Sequence, residues 1–354
     1  MLNTQNILIL QINQIFKFYN RPFENNNQKK EKQGMSMTEA FKQQVMKAWQ
    51  PVPTVNSTII LFSVFTLFFI VFGIILLAYS LDIKEYSVQY NDELDLKEFQ
   101  EKSSDYVSDD YQQLTIEIKE DMKAPVYVYY ELQNFYQNNR RYVKSKNSDQ
   151  LKGEKVGKGA ASDDCDPIVT NSDVGRTISY TGVPLDPDAV ANPCGMIAKS
   201  YFTDEYMLRK SDTSFDINGE IDGYFKISAK DIAWPSDKEH KYANSENSES
   251  EQWMDYDNER FMVWMRTAAL PKFRKIWGKI NEDIPAGTYT IDILNVYDVE
   301  PFDGKKTLIF STSNAFGGKN LFLAIAYLIA GGLSLIVTVA FLVKKFAHKK
   351  QKPQ

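Results

Sequence analysis

The residues best suited to chemistry are few. Cys165 and Cys194 are the only two cysteines, and a bond between them would close a loop of about 30 residues, a constraint of roughly 3–4 kcal/mol in the chain-entropy account. An oxidising compartment would favour that bond, and two free buried thiols are the alternative. His240 lies in an acidic stretch and His348 in a lysine-rich tail, so neither is placed to serve a serine or cysteine nucleophile. There is no G-x-S-x-G, no G-x-x-x-x-G-K-[ST] and no H-E-x-x-H. Gly153, Gly157 and Gly159 lack dinucleotide-fingerprint spacing. Two cysteines and two histidines exclude a zinc ribbon and most histidine-based metal sites. No catalytic, cofactor or metal site is predicted, and the chain reads as a non-enzyme.

Arg140, Arg141 and Lys144 are interleaved with Phe135, Tyr136 and Tyr142, a pattern that in isolation suggests nucleic acid. The net charge of −5, from 41 Lys+Arg and 46 Asp+Glu, argues against a general nucleic-acid binder. Two readings remain: a buried network pairing the arginines with acids or carbonyls, or a protein contact. Arg266 is open to the same two readings.

The elements that position these residues begin with two apolar runs. Thr58–Leu81 and Leu321–Val343 carry no charge, and at ~1.5 Å per residue each reaches roughly 35 Å, enough to cross a ~30 Å hydrocarbon layer as a helix. The first run starts too deep in the chain to be a cleaved signal peptide. Of the basic residues, seven precede the first run and five follow the second, against three acids and none. The segment between them keeps 29 basic and 43 acidic residues. Positive flanks stay cytosolic. The predicted organisation is a disordered cytosolic tail (1–37, with Met35 or Met37 an alternative start), a juxtamembrane segment (38–57), a span (58–81), an outer domain (82–319), a span (321–343) and a basic cytosolic tail (344–354).

Short alternating runs in the outer domain predict strands: Thr115–Lys119, Tyr289–Ile293, Lys306–Phe310, and the apolar-aromatic Val126–Tyr130. Turn signals at Pro285-Ala286-Gly287 and Asp303-Gly304 separate them. The expected fold is a mostly antiparallel β-sandwich between two transmembrane helices, with short helices predicted over Leu132–Val143 and Arg266–Ile280. Leu151–Asp166 and Ser236–Asp257 read as loops, the second as a mobile acidic insertion.

Several blocks together are more specific than any of these patterns. Ala40-Phe41-Lys42-Gln43-Gln44 and Ala48-Trp49-Gln50-Pro51 precede the first span. They are followed in order by Asn134 to Ser145, Asn192-Pro193-Cys194-Gly195-Met196-Ile197-Ala198, Ile232-Ala233-Trp234, Trp264 to Pro271, and Phe316-Gly317-Gly318. This set resembles the cell division control protein 50 family over residues 38–345. The resemblance implies an accessory (beta) subunit of a type IV P-type ATPase, a phospholipid flippase. Its partner would hydrolyse ATP and move lipid, and the subunit would escort it out of the endoplasmic reticulum toward Golgi, endosome or plasma membrane. The chain departs from many members in having no cysteine pair in Tyr86–Glu117. Its only N-x-[ST] is Asn56-Ser57-Thr58, on the cytosolic edge, so no N-glycan is predicted. A two-span channel or receptor subunit is the alternative.

With a membrane partner in view, further residues become interface candidates. Phe41, Val45, Ala48 and Trp49 recur at helical spacing before Pro51, as an interfacial helix would, touching either the ATPase or only the bilayer. Ala326, Ala330, Ser334 and Thr338 stand four apart beside Gly331 and Gly332, a stripe that would admit a partner helix or pack on the chain's own first span. Arg140, Arg141 and Arg266 are candidates for contact with ATPase outer loops. The predicted partners are thus the ATPase and the lipid bilayer, with no nucleic acid and no cofactor.

Overall fold

Period-two burial builds two facing sheets. The computed structural model describes residues 37–42, 54–102, 106–220, 222–314 and 316–350. In one sheet the antiparallel order is β1 (Glu85–Gln89), β9 (Lys305–Ser311), β3 (Val126–Gln133), β7 (Phe273–Ile280) and β6 (Ile227–Ser228). In the other it is β2 (Tyr111–Ile118), β8 (Gly287–Leu294), β4 (Glu205–Lys210) and β5 (Tyr224–Phe225). Along β3, Val126, Val128, Tyr130 and Leu132 are buried while their neighbours are half-exposed. Ile116 and Ile118, Tyr206 and Leu208, and Ile291 and Ile293 close the core from the other sheet. The architecture is the antiparallel sandwich with short helices that the alternation implies.

A buried polar cluster ties the two sheets together. Lys306 of β9 donates from Nζ to Asp204, just before β4, at 2.8 Å. The second Asp204 oxygen accepts the backbone N–H groups of Val296 and Tyr297. Tyr90 adds its hydroxyl to Asp204 at 2.6 Å and meets the Tyr206 hydroxyl at 2.6 Å. All four side chains are enclosed, and full satisfaction is what makes a buried charge tolerable.

Several segments differ from the sequence expectation. Leu132 and Gln133 finish β3. The left-handed Asn134 (φ 62°) then turns the chain, and Asn139 caps a helix limited to Arg140–Lys144. The stretch predicted as a helix over Arg266–Ile280 is mainly β7, preceded by the helix Glu259–Met265. A bulge explains the misreading: Val128 faces Gly278 and Tyr129 faces Ile276, so Trp277 is extra. Phe273, Ile276, Trp277 and Ile280 thereby acquire the i, i+3, i+4, i+7 spacing of a helix. The segment read as a mobile insertion, Ser236–Asp257, buries Asp237, Gln252, Trp253 and Tyr256 and contains two short helices. Leu151–Asp166, read as a loop, holds the helix Lys158–Cys165 with Ala161 buried.

The chain separates into two units, 62–339 and 1–61 with 340–354. Among the described residues, two helices are long and apolar enough to cross a bilayer: Val55–Asp82, with 28 residues, and Leu321–Lys350, with 30. Within 62–339 they pack where side chains vanish. A Cβ at Gly73 would lie 2.8 Å from Leu328 Cδ2, and one at Gly331 would lie 2.8 Å from Ile70 Cγ1. Phe69 and Tyr327 meet edge-to-face beside these contacts. Asn314 donates to the Tyr79 carbonyl at 2.7 Å, and the Asn320 N–H to Ser80 Oγ at 3.1 Å. In the other unit the described parts include the helix Met37–Lys42 and the start of Val55–Asp82. There Thr54 and Ser57 cap each other, the Ser57 N–H donating to Thr54 Oγ1 and the Thr54 N–H to Ser57 Oγ.

Candidate partner-binding surfaces

The cysteine pair is bonded in the structure and holds the helical side of the outer domain together. Gln150 accepts the Cys194 N–H at 2.9 Å and donates to the Ala191 carbonyl at 2.8 Å. Ser145 donates to the Cys165 carbonyl and accepts the Met196 N–H, each at 2.8 Å. Gly195 (φ 102°) sits where a Cβ would fall 2.2 Å from the Ser145 carbonyl oxygen, so only glycine fits. Trp253 and Trp264 anchor the same region by donating to the carbonyls of Pro193 and Ile197, both at 2.7 Å.

The arginines separate into two classes. Arg266 forms a forked pair with buried Asp237, NH2 to Oδ1 at 3.0 Å, and lies over Trp234. Burial opposes ionisation of Asp237, but Arg266 and Lys241 outweigh it and hold the carboxyl below its ordinary range. Arg266 is thus tied to the fold through Asp237 while its own side chain stays exposed. Arg140 and Arg141 are exposed and take part in no salt bridge among the described residues, which does not fit the buried-network reading. Amides near them do that work instead. Gln137 accepts the Ala268 N–H, Asn138 donates to Ala269, and the Phe135 N–H donates to Pro271. These bonds seat Asn134–Ser145 on Trp264–Pro271. Amides paired with backbone carry no distinctive spacing, so no pattern of residue types marks them.

Arg141 also borders an apolar cleft of about 870 Å³, lined by Phe135, Tyr136, Ile168, Met196 and Phe302. Tyr136 is 57% exposed there. Lys275, missed in the sequence, closes the helix Glu259–Met265 from behind by donating to the carbonyls of Val263, Trp264 and Arg266. Burial pushes its ammonium down to about 7.

The small-residue stripe of the second apolar helix does not face one way. Steps of four residues advance about 40° around an α-helix. Ala326 and Ala330 are half-buried, whereas Ser334 and Thr338 are buried on the side of Gly331, which meets Ile70. Ser334 therefore packs inside the chain rather than lining an outer groove. Phe41 is 73% exposed; Val45, Ala48 and Trp49 lie outside the described residues. Most of the first apolar helix is uncovered, with Phe65, Phe68 and Phe72 along it exposed.

A family model described as the LEM3 (ligand-effect modulator 3) family / CDC50 family matches residues 76–351. The chain belongs to that family. It is 36% identical to ALA-interacting subunit 3 of Arabidopsis thaliana, covering 85% of this chain and 83% of the relative. It is 34% identical to Cell cycle control protein 50A of Mus musculus, covering 86% and 87%. It is 30% identical to the Phospholipid-transporting ATPase accessory subunit CRF1 of Saccharomyces cerevisiae, covering 86% and 84%. The CDC50-family chain is thus an integral membrane protein with two apolar helices around a sandwich. Three of the blocks that carry the sequence resemblance (134–145, 192–198, 264–271) lie together around the disulfide and Trp264, as scaffold.

Proposed function

We propose that this chain is the non-catalytic accessory subunit of a type IV P-type ATPase that transports phospholipid, bound to it as a heterodimer. Both termini face the cytosol, and residues 82–319 form a cap in the lumen or outside the cell. The subunit allows its partner to leave the endoplasmic reticulum and stabilises it there by mass action, since a bound folded state is favoured over an unbound one. Lipid translocation belongs to the partner. The observation that carries this reading is the family match, which runs unbroken from the first apolar helix through the sandwich to the second. Extensive uncovered apolar surface on both helices supports a partner within the bilayer. Permanent interfaces of this kind bury on the order of 2,000–5,000 Å². Arg140, Arg141, Ala326 and Ala330 are the contact residues this reading favours, with Phe41 and Trp49 at the cytosolic surface.

The channel alternative has less support, since Thr58–Leu81 and Leu321–Val343 hold no charged residue to line an aqueous path. Reciprocal deletion tests the proposal. Loss of either protein should trap the other in the endoplasmic reticulum; normal maturation of each without the other would overturn it.

A further inference from the structure

Two arginines from distant segments meet in a pocket apart from Arg140 and Arg141. The Arg176 guanidinium carbon stands 4.2 Å from the Phe99 ring centroid and 4.9 Å from that of Trp253. Arg260 lies 3.5 Å over Trp277 and donates from Nε to the Trp277 carbonyl at 2.8 Å. Both indoles are themselves fixed, Trp253 Nε1 on the Pro193 carbonyl and Trp277 Nε1 on that of Asp204 at 3.2 Å. Together with Lys102, the two arginines line a cavity of about 530 Å³.

The acids around this pocket form their direct hydrogen bonds with groups other than the two arginines. Glu101 accepts the Thr177 N–H at 2.8 Å, the Thr177 hydroxyl at 3.0 Å and the Ile178 N–H at 3.1 Å. Asp204 is held by Lys306, Tyr90 and two backbone N–H groups. Glu205 accepts the Tyr111 hydroxyl at 3.3 Å. Among the described residues the arginine–carboxylate pairs are Arg209–Asp292, Arg266–Asp237 and Arg274–Glu85; Arg176 and Arg260 have none. Burial works against the charge of both guanidinium groups, while the nearby Glu101 carboxylate supports that of Arg176 and Tyr201 and Glu205 support that of Arg260. A stacked guanidinium keeps its in-plane N–H donors fixed in the fork that matches an oxyanion, and stacking on aromatic faces is itself favourable.

We infer that this pocket binds an oxyanion, a phosphate or carboxylate carried by a small soluble molecule, received between Arg176 and Arg260. Its volume falls in the range that admits a whole small ligand. Its place also favours a soluble ligand over a bilayer headgroup. The Asp204 rim is bonded to Lys306, at the end of β9 remote from Ser311 and the second apolar helix, roughly 16 Å along the strand.

The test uses the full-length protein in mild detergent at fixed ionic strength. Phenylglyoxal, which modifies arginines, is applied with sodium phosphate, glycerophosphoserine or sodium acetate, and each arginine is followed by mass spectrometry. At a probe concentration ten times its Kd, modification of Arg176 and Arg260 should slow by about tenfold, with exposed Arg140 and Arg141 unchanged. Protection by phosphate and glycerophosphoserine but not acetate marks a phosphate ligand; protection by acetate alone marks a carboxylate. Should stacking leave both arginines unreactive, calorimetric titration with the same probes decides. Saturable heat that R176Q and R260Q lose and K158Q keeps supports the site. Absence of saturable binding for all three probes, or equal protection of all four arginines, would overturn it.

Discussion

The outer domain and the helix pair treat apolar and polar groups in opposite ways. In the sandwich, Val126, Leu132, Leu208 and Ile291 are wholly enclosed, and even a lysine, Lys306, is buried with every donor used. In the helix pair, Ile60, Leu67, Phe322 and Ile336 each remain at least 65% exposed, and packing concentrates at Gly73 and Gly331. The sandwich completes itself; the helices do not. The contrast leaves a self-contained sandwich joined to helices that present an open apolar surface.

Four substitutions probe the two regions separately, the most damaging first. Asp204→Ala leaves Lys306 buried without its counter-charge and should cost about 3–5 kcal/mol of outer-domain stability. Chemical denaturation followed by near-ultraviolet circular dichroism reads it, and a loss below 1 kcal/mol would show that the cluster is not a tie between sheets. Cys194→Ser opens the cross-link and should cost about 3–4 kcal/mol, with the helical side loosening before the sheets in hydrogen exchange. Uniform loosening would contradict the scaffold role.

Glu259 provides a pH handle. Burial opposes its ionisation, but Lys238 and the N–H groups of Ala233, Asp231 and Ile232 hold the carboxyl below its ordinary value of 4.5. Its contribution is therefore full above that value and is lost as pH falls through the lower folded-state value. Glu259→Gln should cost about 1–3 kcal/mol at neutral pH and flatten the acid limb of a stability–pH curve; an unchanged limb would refute the assignment. Gly331→Leu should separate the helices at a cost of about 1–3 kcal/mol, lowering cysteine cross-linking between them while outer-domain melting stays unchanged. A matching drop in outer-domain melting would mean the two regions are not independent.

What the sequence reveals follows the same division. The apolar runs and the strands β2, β3, β8 and β9 are legible because hydrophobic length and period two survive without tertiary context. β7 is not, because the bulge at Trp277 and the inward-pointing Lys275 turn its pattern helical. Ser236–Asp257 reads as solvent-facing because its composition is acidic, although Trp253 and Tyr256 anchor it. Among the candidate contacts, Arg140 and Arg141 are placed on the surface, Arg266 is exposed but paired with Asp237, and Ser334 is buried on the side of Gly331. Pairing of that kind joins residues far apart in sequence, so composition and spacing carry no trace of it.

Under the proposed function, the uncovered helices belong to a complex with an ATPase. Affinity purification of the full-length chain in mild detergent, with the bound proteins identified by mass spectrometry, tests it most directly. A phospholipid-transporting P-type ATPase should be recovered in near-equal amount, reduced by bulky substitutions at Ala326 and Ala330. Recovery of the chain alone, from cells that contain such ATPases, would contradict it.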